Sequence, residues 1–369
     1  MIPYGHQNID HKDIKEAIKA LKSEWITQGP KISEFEKALA NYCGARFAVS
    51  CSSGTAALHM AYLASGIKKE DEVIVTPNTF VATSNMILAV GARPVFCDIR
   101  LDTFNIDEDK IEKLITKKTK AIAVVHFAGQ PCAMDKISKL AKKHKLSIIE
   151  DACHALGARF KGVKIGSCRY SDFTVFSFHP VKSITTGEGG AVLTNSKKDY
   201  HELLLLRSHG IYKDKEGKNV MSSFGFNYRL TDLQAALGVS QLKKVDTFVG
   251  KRNQIARSYA EQLKDINGVD LPSVLNDNYS AWHLYVIRLK DAKVRDRIAL
   301  YLKTRGIGVN FHYPAVYFQP YYKNLGYGKI NFPNEEKYQS NCLTLPCFPD
   351  LKQQEIKYIC QSIKDFFKL

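Results

Sequence analysis

The chain has 369 residues, of which 45% are apolar and 24% are charged, a composition that is typical of globular proteins and excludes disordered and collagen-like chains. Lys and Arg outnumber Asp and Glu by 53 to 37. This basic excess is either plain solvated surface or charge that attracts an anionic ligand, such as a phosphorylated small molecule. No apolar run reaches the ~20 residues of a membrane span, the first residues lack the pattern of a secretory signal, and no nucleic-acid-binding motif is present. We therefore expect a cytoplasmic protein without membrane or nucleic-acid partners.

Nine cysteines are scattered along the sequence, and none forms a Cys-x-x-Cys pair. Zinc sites and redox dithiols usually show such close pairs. We therefore expect reduced thiols in a reducing compartment and no metal site.

The first half of the chain alternates helical patterns with short apolar runs. Asp10 has the character of an N-cap, and the apolar spacing from Ile14 to Leu21 then indicates an amphipathic helix. Further helices are predicted after Gly54, from about Phe80 to Val90, near 107–117 and at 133–144, with strands at 72–76, 94–98, 121–125, 146–151, 172–178 and 190–194. This alternation predicts an α/β fold with a mostly parallel sheet that is covered by helices on both faces.

The second half of the chain has a different organisation. It becomes mostly helical from about residue 196, and a new mixed pattern starts after Gly268. The helices and the apolar run predicted there lie at 230–245, 250–266, 281–289 and 293–305. The change of pattern predicts a large domain over residues 1–250 and a smaller α+β domain over residues 251–369.

Three segments carry residues that could bind a ligand, and the first is Ser52-Ser53-Gly54-Thr55. Small residues at the start of a buried helix let backbone N–H groups approach an anion at the positive end of the helix dipole. An ordinary serine N-cap followed by a turn glycine explains the same pattern. This segment alone therefore does not establish a phosphate site.

The second segment places Asp151 at the carboxyl end of an apolar strand and His154 three residues later. Ligands of open α/β sheets bind at that edge of the sheet. Asp151 could instead cap a following helix, and His154 could be a core histidine whose hydrogen bonds are satisfied internally.

The third segment contains Lys182, which lies between the aromatic strand ending at Phe178 and the run Gly187-Glu188-Gly189-Gly190. Most lysines are simply solvated, and these glycines match neither a P-loop nor a dinucleotide-binding turn. Taken together, however, the three segments offer a phosphate-binding helix start, a carboxylate and a lysine, which are the parts of a pyridoxal phosphate site. In such a site the lysine forms a Schiff base with the cofactor, and the carboxylate pairs with the ring nitrogen.

The run Ser177-Phe-His-Pro-Val-Lys182-Ser-Ile-Thr-Thr-Gly-Glu-Gly-Gly-Ala191 resembles the signature of the DegT/DnrJ/EryC1/StrS sugar aminotransferases. The resemblance extends over nearly the whole chain, including 27–30, 52–58, 76–82 and 207–210. It implies fold type I of the pyridoxal phosphate enzymes, a mostly parallel sheet with helices on both faces and a smaller C-terminal α+β domain.

The same resemblance implies how the cofactor is bound. Lys182 carries the cofactor as a Schiff base, and Asp151 pairs with its ring nitrogen. The other cofactor-binding residues are Phe80, which stacks on the ring, His154 beside the 3-hydroxyl, and the phosphate ligands Gly54, Thr55 and Ser177. The resemblance also implies a homodimer with shared active sites, in which Asn227 reaches the phosphate in the neighbouring subunit.

A substrate class also follows from the resemblance. Many members have Gln at the position of His154. The chain resembles a branch of the family that aminates C4 of UDP-linked 4-keto-6-deoxy-N-acetyl sugars in pseudaminic acid biosynthesis. The residues that carry this resemblance are His154, Phe178-His179 and His312-Tyr313-Pro314. The amino donor is then glutamate. The implied substrate-binding residues are Tyr4, Trp25, Thr27, His179, Arg229, His312 and Tyr313, and Arg229 is either a contact for the donor carboxylate or a structural residue.

Two alternatives stay open at this point. One is an aminotransferase that acts at C3, or at C4 with the opposite stereochemistry, on another nucleotide sugar. The other is a regulatory or sensor protein that binds the cofactor on the same fold, although no DNA-binding helix pair is evident. Lys182 argues against the dehydratase branch of the family, in which His replaces this lysine.

Overall fold

The structure, a computed structural model, describes residues 1–368 and contains twelve α-helices and fifteen β-strands in that range. The helices are α1 (His11–Leu21), α2 (Pro30–Cys43), α3 (Gly54–Ala64), α4 (Ala82–Ala89), α5 (Met134–His144), α6 (Lys197–Arg207), α7 (Asp232–Leu242), α8 (Val245–Leu263), α9 (Ala292–Thr304), α10 (Pro320–Asn324), α11 (Pro333–Asn341) and α12 (Gln353–Phe366). The strands are β1 (Phe47–Cys51), β2 (Glu72–Val75), β3 (Arg93–Phe96), β4 (Thr119–Val125), β5 (Ser147–Asp151), β6 (Arg159–Phe160), β7 (Val163–Lys164), β8 (Phe173–Ser177), β9 (Gly190–Thr194), β10 (Ile211–Lys213), β11 (Asn219–Met221), β12 (Val269–Asp270), β13 (Asn278–Tyr279), β14 (Tyr285–Leu289) and β15 (Cys342–Leu345). No helix within residues 1–368 has both the length and the apolar character that a membrane crossing requires.

Seven strands form the central sheet in the order β1-β9-β8-β5-β4-β2-β3. All of its neighbouring pairs are parallel except those of β9, which runs antiparallel to both β1 and β8. Alternate residues of β4 pack in two different apolar cores, with Ile122 and Val124 in one and Ala121 and Ala123 in the other. Because helices cover both faces, the strand is apolar on both sides. The predicted α/β fold is confirmed, although the sequence pattern did not indicate β1.

Helix α1 begins where the sequence predicts but exposes the side that was expected to be buried. Asp10 accepts hydrogen bonds from two backbone N–H groups of the first turn, and Asp13 accepts one from the backbone N–H of Asp10, which completes a capping box. However, Ile14, Ile18 and Leu21 are 53%, 45% and 58% exposed. This apolar stripe therefore lies on the surface of the single chain.

The prediction of a helix near 107–117 is wrong. The segment consists of turns and one short 3-10 helix, Glu112–Leu114. Thr119 Oγ1 accepts a hydrogen bond from the backbone N–H of Thr116, whose hydroxyl donates to Glu72. Local bonds between hydroxyls and the backbone compete with helix formation and favour turns.

A further core lies in the last third of the chain, where β12, β14 and β15 form a small sheet that packs with α8, α9 and α12. Helix α8 joins this core to the large one, since Phe248 packs in the large core and Tyr259 in the small one. The division that we propose between residues 250 and 251 therefore falls inside a continuous helix. At the other end of the chain, Ile2 pairs with Ile307, so the N-terminal segment packs on the C-terminal part.

Candidate active site

A cleft of about 700 Å³ opens at one edge of the central sheet. Strands β1, β5 and β8 end at this edge, which is where open α/β sheets bind their ligands. The cleft brings together eleven residues that the sequence predicts for the site: Tyr4, Gly54, Thr55, Phe80, Asp151, His154, Ser177, His179, Lys182, His312 and Tyr313.

Helix α3 begins in the wall of this cleft at Gly54. The hydroxyl of Ser53 caps the helix by accepting a hydrogen bond from the backbone N–H of Ala56 at 3.1 Å. A Cβ atom on Gly54 would lie 2.8 Å from the Cβ of Ser177, and one on Gly190 would lie 2.4 Å from the carbonyl oxygen of Ser53. Glycine is therefore needed at both positions for the backbones to approach this closely. The result is a helix N-terminus that faces the cleft and suits an anion.

Asp151 ends β5 and lines the cleft as a nearly buried carboxylate. The chain continues through turns over 152–158, so the alternative in which Asp151 caps a following helix is wrong. Its Oδ1 accepts a hydrogen bond from the backbone N–H of Cys153 at 3.2 Å, and its Oδ2 accepts one from the Thr83 hydroxyl at 2.6 Å. The two donors hold the carboxylate in the wall of the cleft.

Lys182 lies in the turn that connects β8 to β9 and is partly buried in the cleft. Burial lowers the pKa of its amine, and the neighbouring Cys153 and Asp151 oppose this effect only in part. The amine is thus shifted toward its neutral form, which is the nucleophilic one.

His154 is a buried histidine with hydrogen-bond partners inside the protein, and it also lines the cleft. Its Nδ1 accepts a hydrogen bond from the backbone N–H of Ala128 at 3.3 Å, and its Nε2 lies 3.3 Å from the hydroxyl oxygen of Tyr313. Burial and the charge of Lys182 lower the pKa of His154 well below its ordinary value, so the ring is neutral. A neutral ring that accepts at Nδ1 carries its proton on Nε2. His154 therefore donates to Tyr313.

His312 comes to the cleft from the segment that follows α9. Its Nδ1 lies 2.8 Å from the hydroxyl oxygen of Thr344, and its ring centroid is 5.5 Å from that of Tyr4. Burial, with a smaller contribution from the charge of Lys182, lowers the pKa of His312 to about 4. The N-terminal segment and the segment after α9 thus meet on one side of the site.

Four predicted site residues, Trp25, Thr27, Asn227 and Arg229, lie outside the cleft of the single chain. The first three are exposed, and Arg229 borders a separate surface pocket. The backbone N–H of Ser52 donates to the carbonyl of residue 228 at 2.8 Å, so the segment that carries the last two is fixed against the start of α3. The binding roles of these four residues remain predictions.

Thr83 and His283 also line the cleft, and they did not emerge from the sequence. Thr83 lies four residues after Thr79, a spacing that could have indicated a pair of neighbouring polar side chains. His283 is buried with its ring centroid 4.3 Å from that of His154, and its Nδ1 has no hydrogen-bond partner in the part of the chain that is described. Its apolar sequence neighbours carry no signal of a site.

The residues in this cleft fit pyridoxal phosphate. The backbone cradle at Gly54, which a Cβ would fill, suits a phosphate at the start of α3. The carboxylate of Asp151 suits a ring nitrogen, and the 58% exposed ring of Phe80 suits stacking on the pyridine. Lys182 supplies the amine that this cofactor requires.

Comparison with known proteins agrees with this chemistry. The model of the DegT/DnrJ/EryC1/StrS aminotransferase family matches residues 7–364. The UDP-4-amino-4,6-dideoxy-N-acetyl-beta-L-altrosamine transaminase of Campylobacter jejuni is 43% identical over 368 residues, which cover 98% of this chain and 96% of that protein.

Two solved structures are similar over the full length of the chain. Helicobacter pylori PseC, an aminotransferase involved in the biosynthesis of pseudoaminic acid, superposes with a TM-score of 0.95 at 36% identity, covering 100% of this chain and 99% of that one. The PLP form of Spr1654 from Streptococcus pneumoniae gives a TM-score of 0.94 at 31% identity, with 100% and 98% covered. The chain belongs to the DegT/DnrJ/EryC1/StrS aminotransferase family of pyridoxal phosphate-dependent enzymes.

Proposed function

We propose that the enzyme transfers the amino group of glutamate to the C4 ketone of a UDP-linked 4-keto-6-deoxy-N-acetylhexosamine, in the biosynthesis of pseudaminic acid or a related surface glycan. The name of the 43% identical Campylobacter jejuni relative supports this substrate class. The formal charge of +16 suits a substrate that carries a diphosphate. We place the reaction in the cytoplasm, where nine free cysteines would stay reduced.

The main observation in support of an amino-transfer reaction is that Lys182, Asp151 and the start of α3 lie in one cleft. Bound pyridoxal phosphate supplies an aldehyde that captures amines and a ring that withdraws electrons from the attached carbon. Gly54, Thr55 and Ser177 would bind the phosphate, and Asp151 would hold the proton on the ring nitrogen. The amine of Lys182 would hold the bound cofactor covalently and, when free, would serve as the general base and acid beside the reacting carbon.

The remaining cleft residues orient the sugar and the ring. His154 would lie beside the 3-hydroxyl of the cofactor, and Tyr4, His179, His312 and Tyr313 would contact the nucleotide sugar. Since His312 is neutral above pH 4 or so, it hydrogen-bonds to sugar hydroxyls without adding a charge to the site.

We also propose a homodimer whose active sites take residues from both chains. The exposed stripe of Ile14, Ile18 and Leu21 on α1 supports this arrangement, and Trp25, four residues further along the chain, is also 55% exposed. Contiguous exposed apolar side chains mark contact surfaces. In the dimer Asn227 reaches the phosphate bound by the partner subunit, while the remaining predicted substrate residues outside the cleft, Trp25, Thr27 and Arg229, border the partner's site.

Product analysis tests the proposed reaction. Purified enzyme is incubated with glutamate and a panel of nucleotide keto-sugars, and the products are identified by NMR. We expect a 4-amino sugar, formed orders of magnitude faster than amino transfer to pyruvate or oxaloacetate. A 3-amino product or the opposite C4 epimer would replace the sugar assignment, and comparable activity on simple keto acids would refute it. Cofactor binding without transfer to any acceptor would favour the regulatory alternative.

Lys182→Ala is the matched control for this assay. Borohydride reduction of the wild-type enzyme should attach the cofactor to Lys182 alone, as shown by peptide mass spectrometry. The variant should keep the cofactor without a covalent bond, because the α3 N-terminus and Asp151 are intact, and it should lose turnover. A label on another lysine would overturn the role of Lys182.

A further inference from the structure

We propose that Thr83 is a positioning residue for Asp151, and that its hydroxyl determines which carboxylate oxygen is available to the cofactor ring. The inference rests on the proposed pairing of Asp151 with the ring nitrogen and is independent of which sugar the enzyme uses. Nothing in the sequence motifs pointed to Thr83; the structure alone brings it to Asp151.

The contact between the two residues is short and buried. Thr83 Oγ1 lies 2.6 Å from Asp151 Oδ2, with the threonine fully buried and the aspartate 6% exposed. A hydroxyl that donates to a carboxylate forms a charge-assisted bond, which is about twice as strong as a neutral one. Water has little access to this pair, so nothing replaces the bond if the hydroxyl is removed.

The direction of each hydrogen bond follows from counting protons. Thr83 has a single hydroxyl proton, and the carboxylate at 2.6 Å is a closer and stronger acceptor than the Phe80 carbonyl at 3.3 Å. Thr79 Oγ1 lies 2.7 Å from Thr83 Oγ1. Because Thr83 donates its only hydroxyl proton in the hydrogen bond to Asp151, Thr79 must be the donor in the hydrogen bond between the two threonines. Two hydroxyls in series therefore point toward the carboxylate.

The two oxygens of Asp151 are left unequal by this arrangement. Oδ2 takes the charge-assisted bond from Thr83, whereas Oδ1 takes only the longer bond from the backbone N–H of Cys153 at 3.2 Å. Oδ1 is thus the better remaining acceptor for a proton on the ring nitrogen. Phe80 lies between the two threonines in the segment that leads into α4, so residues 79–83 position both the carboxylate and the aromatic side chain in the wall of the cleft.

The test compares Thr83→Val, which keeps the shape but lacks the hydroxyl, with Thr83→Ser, which keeps the hydroxyl. Each holoenzyme is loaded with pyridoxal phosphate labelled with ¹⁵N in the ring, and the ¹⁵N shift is followed against pH. In Thr83→Val we expect the ring nitrogen to lose its proton about one pH unit lower than in the wild type. We also expect kcat about tenfold lower with little change in KM for glutamate, since a bond to a charged group is lost. Thr83→Ser should restore both values.

Two further variants keep the proposal falsifiable. Thr79→Val removes the outer hydroxyl and should shift the ¹⁵N titration in the same direction but less, which provides a test if Thr83→Val does not fold. Asp151→Asn serves as the reference and should change the titration most; if it changes nothing, the pairing of Asp151 with the ring is wrong. A normal titration in Thr83→Val with an altered one in Asp151→Asn would overturn the role of Thr83 alone. Failure of Thr83→Ser to restore the shift would show that Thr83 acts through its methyl group.

Discussion

The Nε2 atom of His154 lies 3.3 Å from the hydroxyl oxygen of Tyr313, and the histidine is the donor because its Nδ1 already accepts a backbone hydrogen bond. The hydroxyl oxygen of Tyr313 therefore accepts the hydrogen bond from His154, and the hydroxyl proton is available for another hydrogen bond. Burial raises the pKa of Tyr313, so the hydroxyl stays protonated. This pair makes Tyr313 a hydrogen-bond donor toward the cleft.

Tyr313→Phe should therefore weaken the use of the sugar while sparing the cofactor. The ring and its packing against Phe80 remain, but the donor is lost, which we expect to lower kcat/KM for the keto-sugar about tenfold. Steady-state kinetics and the cofactor absorbance spectrum measure the two effects. Tyr317→Phe is the control, because Tyr317 is buried outside the cleft and its hydroxyl has no partner in the described structure. Equal kinetics for both variants would contradict the role of Tyr313.

Gly54→Ala should impair binding of the cofactor phosphate. The added Cβ would meet the Cβ of Ser177 at 2.8 Å, so the start of α3 must shift. We expect the dissociation constant of pyridoxal phosphate to rise at least about tenfold, because the N-terminus of the helix no longer faces the anion correctly. The matched control is Gly250→Ala, where a Cβ meets nothing within 4 Å; in helix α8 it should be neutral or stabilise the protein by up to about 1 kcal/mol. Unchanged cofactor affinity in Gly54→Ala would exclude the proposed phosphate site.

The stability of the protein should fall in acid partly because of His312. Its pKa is about 4 in the folded protein against an ordinary 6.5, so the unfolded chain binds more protons between these values. The free energy of unfolding therefore decreases as the pH falls through this window. Between pH 7.5 and 4.5 the contribution of His312 is about 2.5 kcal/mol. Urea unfolding of His312→Gln should show a pH dependence that is flatter by about this amount, and parallel curves for the two proteins would contradict the buried neutral state.

Mixed dimers test whether Asn227 acts in the partner's site. A disruptive Asn227 variant and Lys182→Ala are each confirmed to be nearly inactive and are then mixed. In a heterodimer with shared sites, one active site contains both substitutions and the other contains neither. Random exchange makes about half of the dimers mixed, so activity should return to about a quarter of the wild type. Pull-down of an untagged subunit with a tagged one verifies exchange, and verified exchange without recovery would refute shared sites.

The parts of the site that could be predicted are those fixed by local sequence. Asp151 ends a strand that is apolar enough to identify, and parallel strands end at a common edge, so its place at the ligand-binding edge of the sheet follows from the fold class. The capping box at Asp10 is visible for the same reason, since its two partners are three residues apart.

What could not be predicted depends on contacts between distant residues. His283 lies in the cleft with its ring packed against that of His154, which is distant in the sequence, and nothing in its own segment specifies that contact. The apolar stripe of α1 predicts a buried face, but the periodicity does not show whether the fold of the chain itself covers that face. Near 107–117, bonds from Thr116 to distant Glu72 and nearby Thr119 replaced the predicted helix.

The pairing of Ile2 with Ile307 has a consequence for how the enzyme is made. Tyr4 is held in the cleft through its carbonyl, which accepts the backbone N–H of Cys347 at 3.1 Å. During synthesis these partners leave the ribosome long after the first residues do, and contacts of such long sequence separation form slowly. We therefore expect the N-terminal segment to reach its final position only after the central sheet has formed. A chain that ended before β15 would lack Cys347 and with it the backbone hydrogen bond that holds Tyr4 beside the cleft.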